Sequence, residues 1–354
     1  MTPPPGRAAA QPDGPTHPTP QLEPLPDFLE RRQLEVLDVV PAAVPAGRRL
    51  LVGRSEKQRH VLSIAVADAG AASVVLDHEE AVLSGLRSRL DADLARTVPR
   101  VVQRVQASPT SIGLVVTAPQ DKEPVVPEPR RPMRGRQRKD APVVLDAVSG
   151  WLDQLWQQTA EGEPAPAAVG AAGARWLVDL YPPISRTAVG LDDLLRAQRS
   201  MGSQVVRRTV VHGCLCPRHV RISQGRVMAV EDWGLGSLSS DPLIDLGGFA
   251  VRFAGNRLGD ALAGRSTFGK AVRGFVSTGL DRVGVPPRMW RDLLMLAQLD
   301  RAYRAATRGD ADPSLLISML VRVLPEQRHG QGHGQGHGQG HGHQTGHGEG
   351  TRTS

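Results

Sequence analysis

Three neighbouring stretches decide the fold: Thr209-Val-Val-His-Gly-Cys-Leu-Cys-Pro-Arg-His-Val-Arg-Ile-Ser223, Arg226-Val-Met-Ala-Val-Glu-Asp-Trp233 and Asp241-Pro-Leu-Ile-Asp245. The first reads as a short strand ending at His212-Gly213, followed by a loop. A Gln224-Gly225 turn then joins two short strands into a hairpin that ends on the acidic Asp232. This order predicts that residues 214, 219 and 232 gather at one end of a sheet. A carboxylate so placed can hold Mg²⁺ against a nucleotide.

Outward from this segment the chain divides by composition. Residues 1–26 hold nine prolines and little that could bury, which predicts a disordered arm. Residues 27–118 read as a small α+β lobe. Its strands are Leu50–Val52, Val61–Val66, Arg100–Val105 and Ile112–Thr117, and one helix spans His78–Leu90, with Ala81, Val82, Leu86 and Leu90 along a face. Residues 119–142 are proline-rich and carry Arg130, Arg131, Arg134, Arg136, Arg138 and Lys139, the composition of a surface insertion. Residues 143–327 form a mainly helical half, with helices at 143–159, 191–201, 286–307 and 313–324. Residues 328–354 are a His/Gly-rich tail, in which glycine at nearly every second position makes a helix too costly.

The composition narrows the function classes. The formal net charge is +7, supplied almost wholly by arginine, because lysine occurs only at 57, 122, 139 and 270. Apolar residues make up 40% of the chain, enough for a core. No apolar run approaches the ~18 residues of a membrane span, so no membrane partner is expected. Met1–Pro5 has neither a basic start nor an apolar stretch behind it, and no secretory leader is expected. The two cysteines, Cys214 and Cys216, are too close in sequence for an unstrained bridge. A reducing cytoplasm follows as the expected location.

With those residues in view, the segment 209–245 resembles the core of the aminoglycoside phosphotransferase and choline kinase-like family. His212, Gly213, Pro217, Val220, Asp232, Trp233, Asp241, Pro242 and Asp245 match its motifs in order and spacing. The resemblance extends over about residues 46–325. It implies an α+β, bilobal protein-kinase-like fold, with a small β-rich N-lobe, a mainly helical C-lobe and disordered tails. It also implies ATP or GTP with Mg²⁺ as cofactor.

The departures bear most on function. At the position of the family's catalytic Asp stands Cys214, and at that of its metal-holding Asn stands His219. Asp232 keeps the second metal position. The phosphate-touching Lys should fall near Ser63, where there is none, and its helix partner Glu79 (or Glu80) is then left without a purpose. Lys57 is a weaker substitute. His212, Asp241 and Asp245 correspond to structural supports of the catalytic loop. The expected function is a catalytically degenerate member that binds a small molecule or a partner protein. The alternative is an active ATP- or GTP-dependent small-molecule O-phosphotransferase.

Three further features are weighed the same way. His212, Cys214, Cys216 and His219 offer zinc-type donors, but the Cys-x-Cys spacing is tighter than usual zinc spacings, and two buried reduced cysteines are expected instead. The tail histidines could take Ni²⁺ or Zn²⁺ adventitiously. The basic run suggests a nucleic-acid-binding module only weakly, because it lacks interleaved aromatics, and a nucleic-acid partner is not expected.

Overall fold

The structure, a computed structural model, describes residues 22–41, 48–54, 59–68, 71–118, 135–180 and 191–308. Lys57, residues 119–134 of the basic insertion, the helix expected over 313–324, the N-terminal arm before residue 22 and the His-rich tail lie outside the described residues.

The N-lobe is built on a six-stranded sheet of order β1-β5-β6-β4-β3-β2. Its strands are β1 (Glu23–Pro24), β2 (Glu35–Pro41), β3 (Arg48–Arg54), β4 (Arg59–Asp68), β5 (Val101–Ser108) and β6 (Ser111–Thr117). Alternation along β4 decides what each face meets. Leu62, Ile64 and Val66 face helix α1 (Leu25–Arg32), where they pack with Val52, Val105, Val115 and the fully buried Phe28. Ala65 and Ala67, with Leu114 and Val116, face helix α2 (Ala71–Arg87) through Leu76, Val82, Leu83 and Leu86. The β3–β4 register pairs Arg49 with Ala65 and Leu51 with Ser63. Cross-strand pairs share a face, so Arg49 and Ser63 both point toward α2.

A short helix α3 (Ala92–Ala95), capped by the Asp91 side chain on Leu94 N at 2.8 Å, leads back into the sheet. Helix α4 then runs from Gly135 to Thr159. It begins eight residues before the expected start, inside the stretch assigned to the insertion, and it carries Pro142 in its interior. Arginine and lysine are good helix formers, so the basic end of that surface insertion joins the helix.

The C-lobe continues with β7 (Glu161–Pro166), α5 (Ala171–Leu180), α6 (Leu191–Gly202) and β8 (Val205–Val211). The hairpin is β9 (Val220–Ser223) and β10 (Arg226–Val230), and β11 (Ser237–Ser240) pairs with β8. Gln224 (φ 51°) and Gly225 (φ 72°) both have positive φ, the type I′ condition for a two-residue hairpin. Four helices complete the lobe: α7 (Leu243–Ala254), α8 (Leu258–Ala263), α9 (Thr267–Arg282) and α10 (Trp290–Arg308). The sequence reading had no helix for α5, α7, α8 or α9.

The lobes are joined by hydrogen bonds. Trp151 Nε1 donates to Thr97 Oγ1 at 2.9 Å, Val230 N donates to Thr97 O at 2.8 Å, and His78 Nε2 lies 2.7 Å from Gly236 O. A single core cluster runs from Ala65 and Leu114 of the sheet to Leu293 and Leu299 of α10. No helix among the described residues is long and apolar enough to cross a membrane.

Candidate functional site

The loop after β8 is fixed by carboxylates from the start of α7. Asp245 accepts from the backbone N–H groups of His212 (2.6 Å) and Gly213 (2.9 Å). Asp241 accepts from Ala168 (2.6 Å), Val169 (3.0 Å) and Leu243 (2.9 Å). Both side chains are fully buried. Burial pushes the Asp245 carboxyl upward, opposed by His212 and by the two amides it accepts from. His212 donates from Nε2 to Glu231 O (2.7 Å) and accepts at Nδ1 from Cys214 N (3.3 Å), so its partners select one neutral tautomer.

Asp232 follows β10 with φ 66°, a left-handed backbone that an Asp tolerates at modest cost. Its carboxylate is buried, with a neighbour at each oxygen. Oδ2 lies 3.3 Å from His219 Nε2. Oδ1 accepts from Arg49 Nη2 at 3.0 Å, and the same Nη2 donates to Glu79 Oε1 at 2.8 Å. Arg49 Nη1 donates to Ser63 Oγ at 3.3 Å. Burial disfavours the Arg49 charge, but Glu79 and Asp232 outweigh that and hold its pKa above the ordinary arginine value. Glu79, expected to be without a purpose, is thus one arm of a buried ion triad. The sequence reading missed Arg49.

His219 is buried, and its pKa lies well below the ordinary imidazole value. Burial is the main cause, helped by His212, Arg218, Arg252 and Arg49. Arg218 Nε donates to its Nε2 at 3.0 Å, and its ring stacks on His212 with centroids 5.2 Å apart. A neutral ring whose Nε2 accepts from Arg218 cannot also donate from that atom to Asp232, so Arg49 supplies the donor to that carboxylate. Cys214 and Cys216 are buried and reduced. Arg252 Nη1 donates to Cys214 Sγ (2.9 Å) and Cys214 O (3.3 Å). Burial pushes the Cys216 thiol up.

The structure therefore brings Ser63, Glu79, His219 and Asp232 together around Arg49. Cys214 joins them through the stacked pair His212 and His219. Among the described residues, no group of three or more His, Cys, Asp or Glu side chains stands in position to hold a metal ion. The residues present do not fit Mg²⁺. The one retained carboxylate already faces a fixed cation, and the second position offers an imidazole where Mg²⁺ prefers oxygen.

A pH dependence follows from His219. Its folded pKa is depressed below 6.5, so the unfolded chain takes the proton first. The stability from the neutral ring is fully present above pH 6.5 and is lost as pH falls toward the folded pKa, at a limiting slope of about 1.4 kcal/mol per pH unit. Urea unfolding at pH 7.5 and 5.5 should show a steeper loss for the natural chain than for His219→Asn. Equal slopes would show that His219 is not the titrating group.

No family model and no curated protein matches the sequence. Solved structures do. A thermostable mutant of aminoglycoside phosphotransferase APH(4)-Ia in apo form matches at 17% identity, over 86% of this chain and 98% of that one, with a TM-score of 0.53. The GDP complex of wild-type aminoglycoside 2'-phosphotransferase-IIIa matches at 12% identity, over 85% and 97%, with a TM-score of 0.55. A further match is APH(2'')-IIIa with GDP and kanamycin, at 14% identity over 86% and 97%, TM-score 0.52. With its β-sheet N-lobe, its helical C-lobe and this coverage, the chain has the bilobal kinase-like fold of the aminoglycoside phosphotransferases.

Proposed function

We propose that this protein is a kinase-fold binding protein whose interlobe cleft does not carry out Mg²⁺-dependent phosphoryl transfer. The observation behind the reading is the Arg49 guanidinium, bonded at once to Glu79 and Asp232. In the family it resembles, those two positions serve a phosphate-contacting lysine and a metal. Here one internal cation answers both. A general base contributes typically ~10²–10⁴ in rate. The position that would supply it holds Cys214, and the metal-side position holds a neutral His219. A fold whose kinases turn over at about 1–100 per second has little rate left after such losses. The same reading places the protein in the cytoplasm, where two buried reduced cysteines are at home.

The alternative reading is an ATP- or GTP-dependent small-molecule O-phosphotransferase. It draws support from similar folds solved with AMP-PNP and hygromycin B, or with GDP and kanamycin. One experiment separates the two. The full chain is assayed for nucleotide turnover and for thermal shift with ATP and GTP, each with and without Mg²⁺. The expected result is background turnover and no stabilisation that depends on Mg²⁺. Robust turnover abolished by Asp232→Ala would establish the phosphotransferase instead.

A further inference from the structure

A cavity of about 590 Å³ opens on the C-lobe between α4, β8 and the end of α9, and it shares no residue with the Arg49 cluster. That volume lies in the range of small-molecule pockets, about 300–1,000 Å³. Strand and helix periods supply its walls. Val205 and Arg207 are two apart on β8 and share one face. Asp153 and Trp156 are three apart on α4 and share another. Pro164 of β7 and Val283 after α9 add apolar wall between the charges. Val205 remains 58% exposed, a large apolar side chain that the fold does not cover.

Three charged side chains line the cavity, and two of them answer each other. Arg282 Nε lies 3.6 Å from Asp153 Oδ1, and Arg282 Nη1 donates to Ser149 O (2.8 Å) and Oγ (2.9 Å). The third, Arg207, is exposed and has no hydrogen-bond or ion-pair partner among the described residues. An arginine keeps its charge at any pH a protein meets, so the lining carries one net positive charge whatever else titrates. Trp156 adds a second unanswered group. It is 5% exposed, and its buried Nε1 has no hydrogen-bond partner, where a buried indole N–H ordinarily finds one.

Apolar walls with a single unpaired guanidinium select among ligands. A cationic ligand would face Arg207 with no free carboxylate to hold it. A polyphosphate would bring several charges to one cation. An apolar body with one carboxylate matches both features of the lining. We propose that this cavity binds a small hydrophobic carboxylic acid, its carboxylate paired with Arg207 and its body packed against Trp156, Val205 and Val283. The proposal goes beyond the interlobe reading and does not rest on it.

The test uses the full chain and two probe acids, 2-naphthoate and octanoate, each titrated by calorimetry beside its neutral amide. Both acids should bind saturably and more tightly than their amides, and the tighter of the two acids tells an aromatic body from an aliphatic one. A guanidinium–carboxylate contact at an open site is worth roughly tenfold in affinity. Arg207→Gln should weaken the acids by about that factor and leave the amides unchanged. Val205→Glu, which sets a carboxylate beside Arg207, should weaken the acids at least as much. Both positions are exposed, so neither variant disturbs the core. The natural chain supplies a further readout. Either acid should protect Arg207, but not the exposed Arg226, from phenylglyoxal, as read by peptide mass spectrometry. No saturable binding, acids no tighter than amides, undiminished affinity in the variants, or an unchanged rate of Arg207 modification would each overturn the proposal. Those outcomes leave the Arg49 reading intact. Mg²⁺-dependent turnover would overturn that reading without touching this one.

Discussion

Arg49→Met is expected to destabilise the protein by about 3–5 kcal/mol, the cost of leaving buried charge without its counter-ion. Arg49 sits on β3, and its guanidinium is the cation shared by Glu79 on α2 and Asp232 in the C-lobe. Removing it leaves two acidic groups facing each other in a buried space with the Ser63 hydroxyl between strand and helix. The uncompensated pair, rather than a lost favourable bond, sets the size of the effect. An ion triad of this kind gains little net stability over a well-packed apolar replacement, because burying the ions costs several kcal/mol each. The triple variant Arg49→Met, Glu79→Gln, Asp232→Asn should therefore recover most of the loss. For a domain of this size the single variant should melt on the order of 10 °C lower. Urea midpoints for the single, double and triple variants give the coupling directly. A single variant within 1 kcal/mol of the natural chain would mean that the triad is not formed in solution, and the proposal that Arg49 stands in for both lysine and metal would fall with it.

That triad also marks where the sequence stopped being readable. Asp232, His219, Asp241 and Asp245 lie on one local segment, so their order along the chain carries their grouping. Asp245 on the His212 and Gly213 amides, and Asp241 on the turn before α5, follow from a short loop closed by the next helix. Ser63 was located through the family resemblance, as the strand position where a phosphate-touching Lys should fall. Arg49 was not. It reaches Ser63 across a strand pair and Asp232 across 183 residues, and the β3–β4 register that aims it is a tertiary fact. The one local signal was the alternation of Arg49 with Leu51 and Gly53, opposite Leu50 and Val52. It says that an arginine shares a face with Leu51, and nothing in one strand says which carboxylates wait there.

The helices failed for a different reason. Helix α9 announces itself through the Ser266 cap on Gly269 N (3.0 Å) and through Phe268, Val272, Phe275 and Val276 at helical spacing. That signal was present and went unread. In α7 the paired glycines 247 and 248 mask the period. Gly247 is there because a Cβ would stand 2.8 Å from Ala297 Cβ of α10, a packing demand visible only once the two helices touch.

The loop that carries the site depends on one glycine, and Gly213→Ala is expected to be the most damaging single methyl group in this region. Gly213 has φ 76°, where an L side chain is strained. An added Cβ would lie 2.0 Å from Leu235 O and 2.9 Å from Leu235 C. Those are backbone atoms, so no side-chain rotation relieves the clash, and the segment after Asp232 has to move. That segment is tied down by the Gly236 N to Trp233 O bond (2.8 Å) and by His78 against Gly236 O. Gly213 itself donates to Asp245 and accepts from Arg304, so its displacement strains both neighbours. With strain and overpacking in the same place, the loss should exceed ~4 kcal/mol, beyond the range of ordinary substitutions. Gly150→Ala in α4 is the matched control. No atom lies within 4 Å of its added Cβ, and alanine there should stabilise by about 0.5–1 kcal/mol. Urea midpoints measured side by side, with m-values to verify two-state unfolding, give opposite signs if the loop is packed as described. A Gly213→Ala chain that unfolds within 1 kcal/mol of the natural one would place Leu235 elsewhere, and the position of Asp232 beside Arg49 would have to be redrawn.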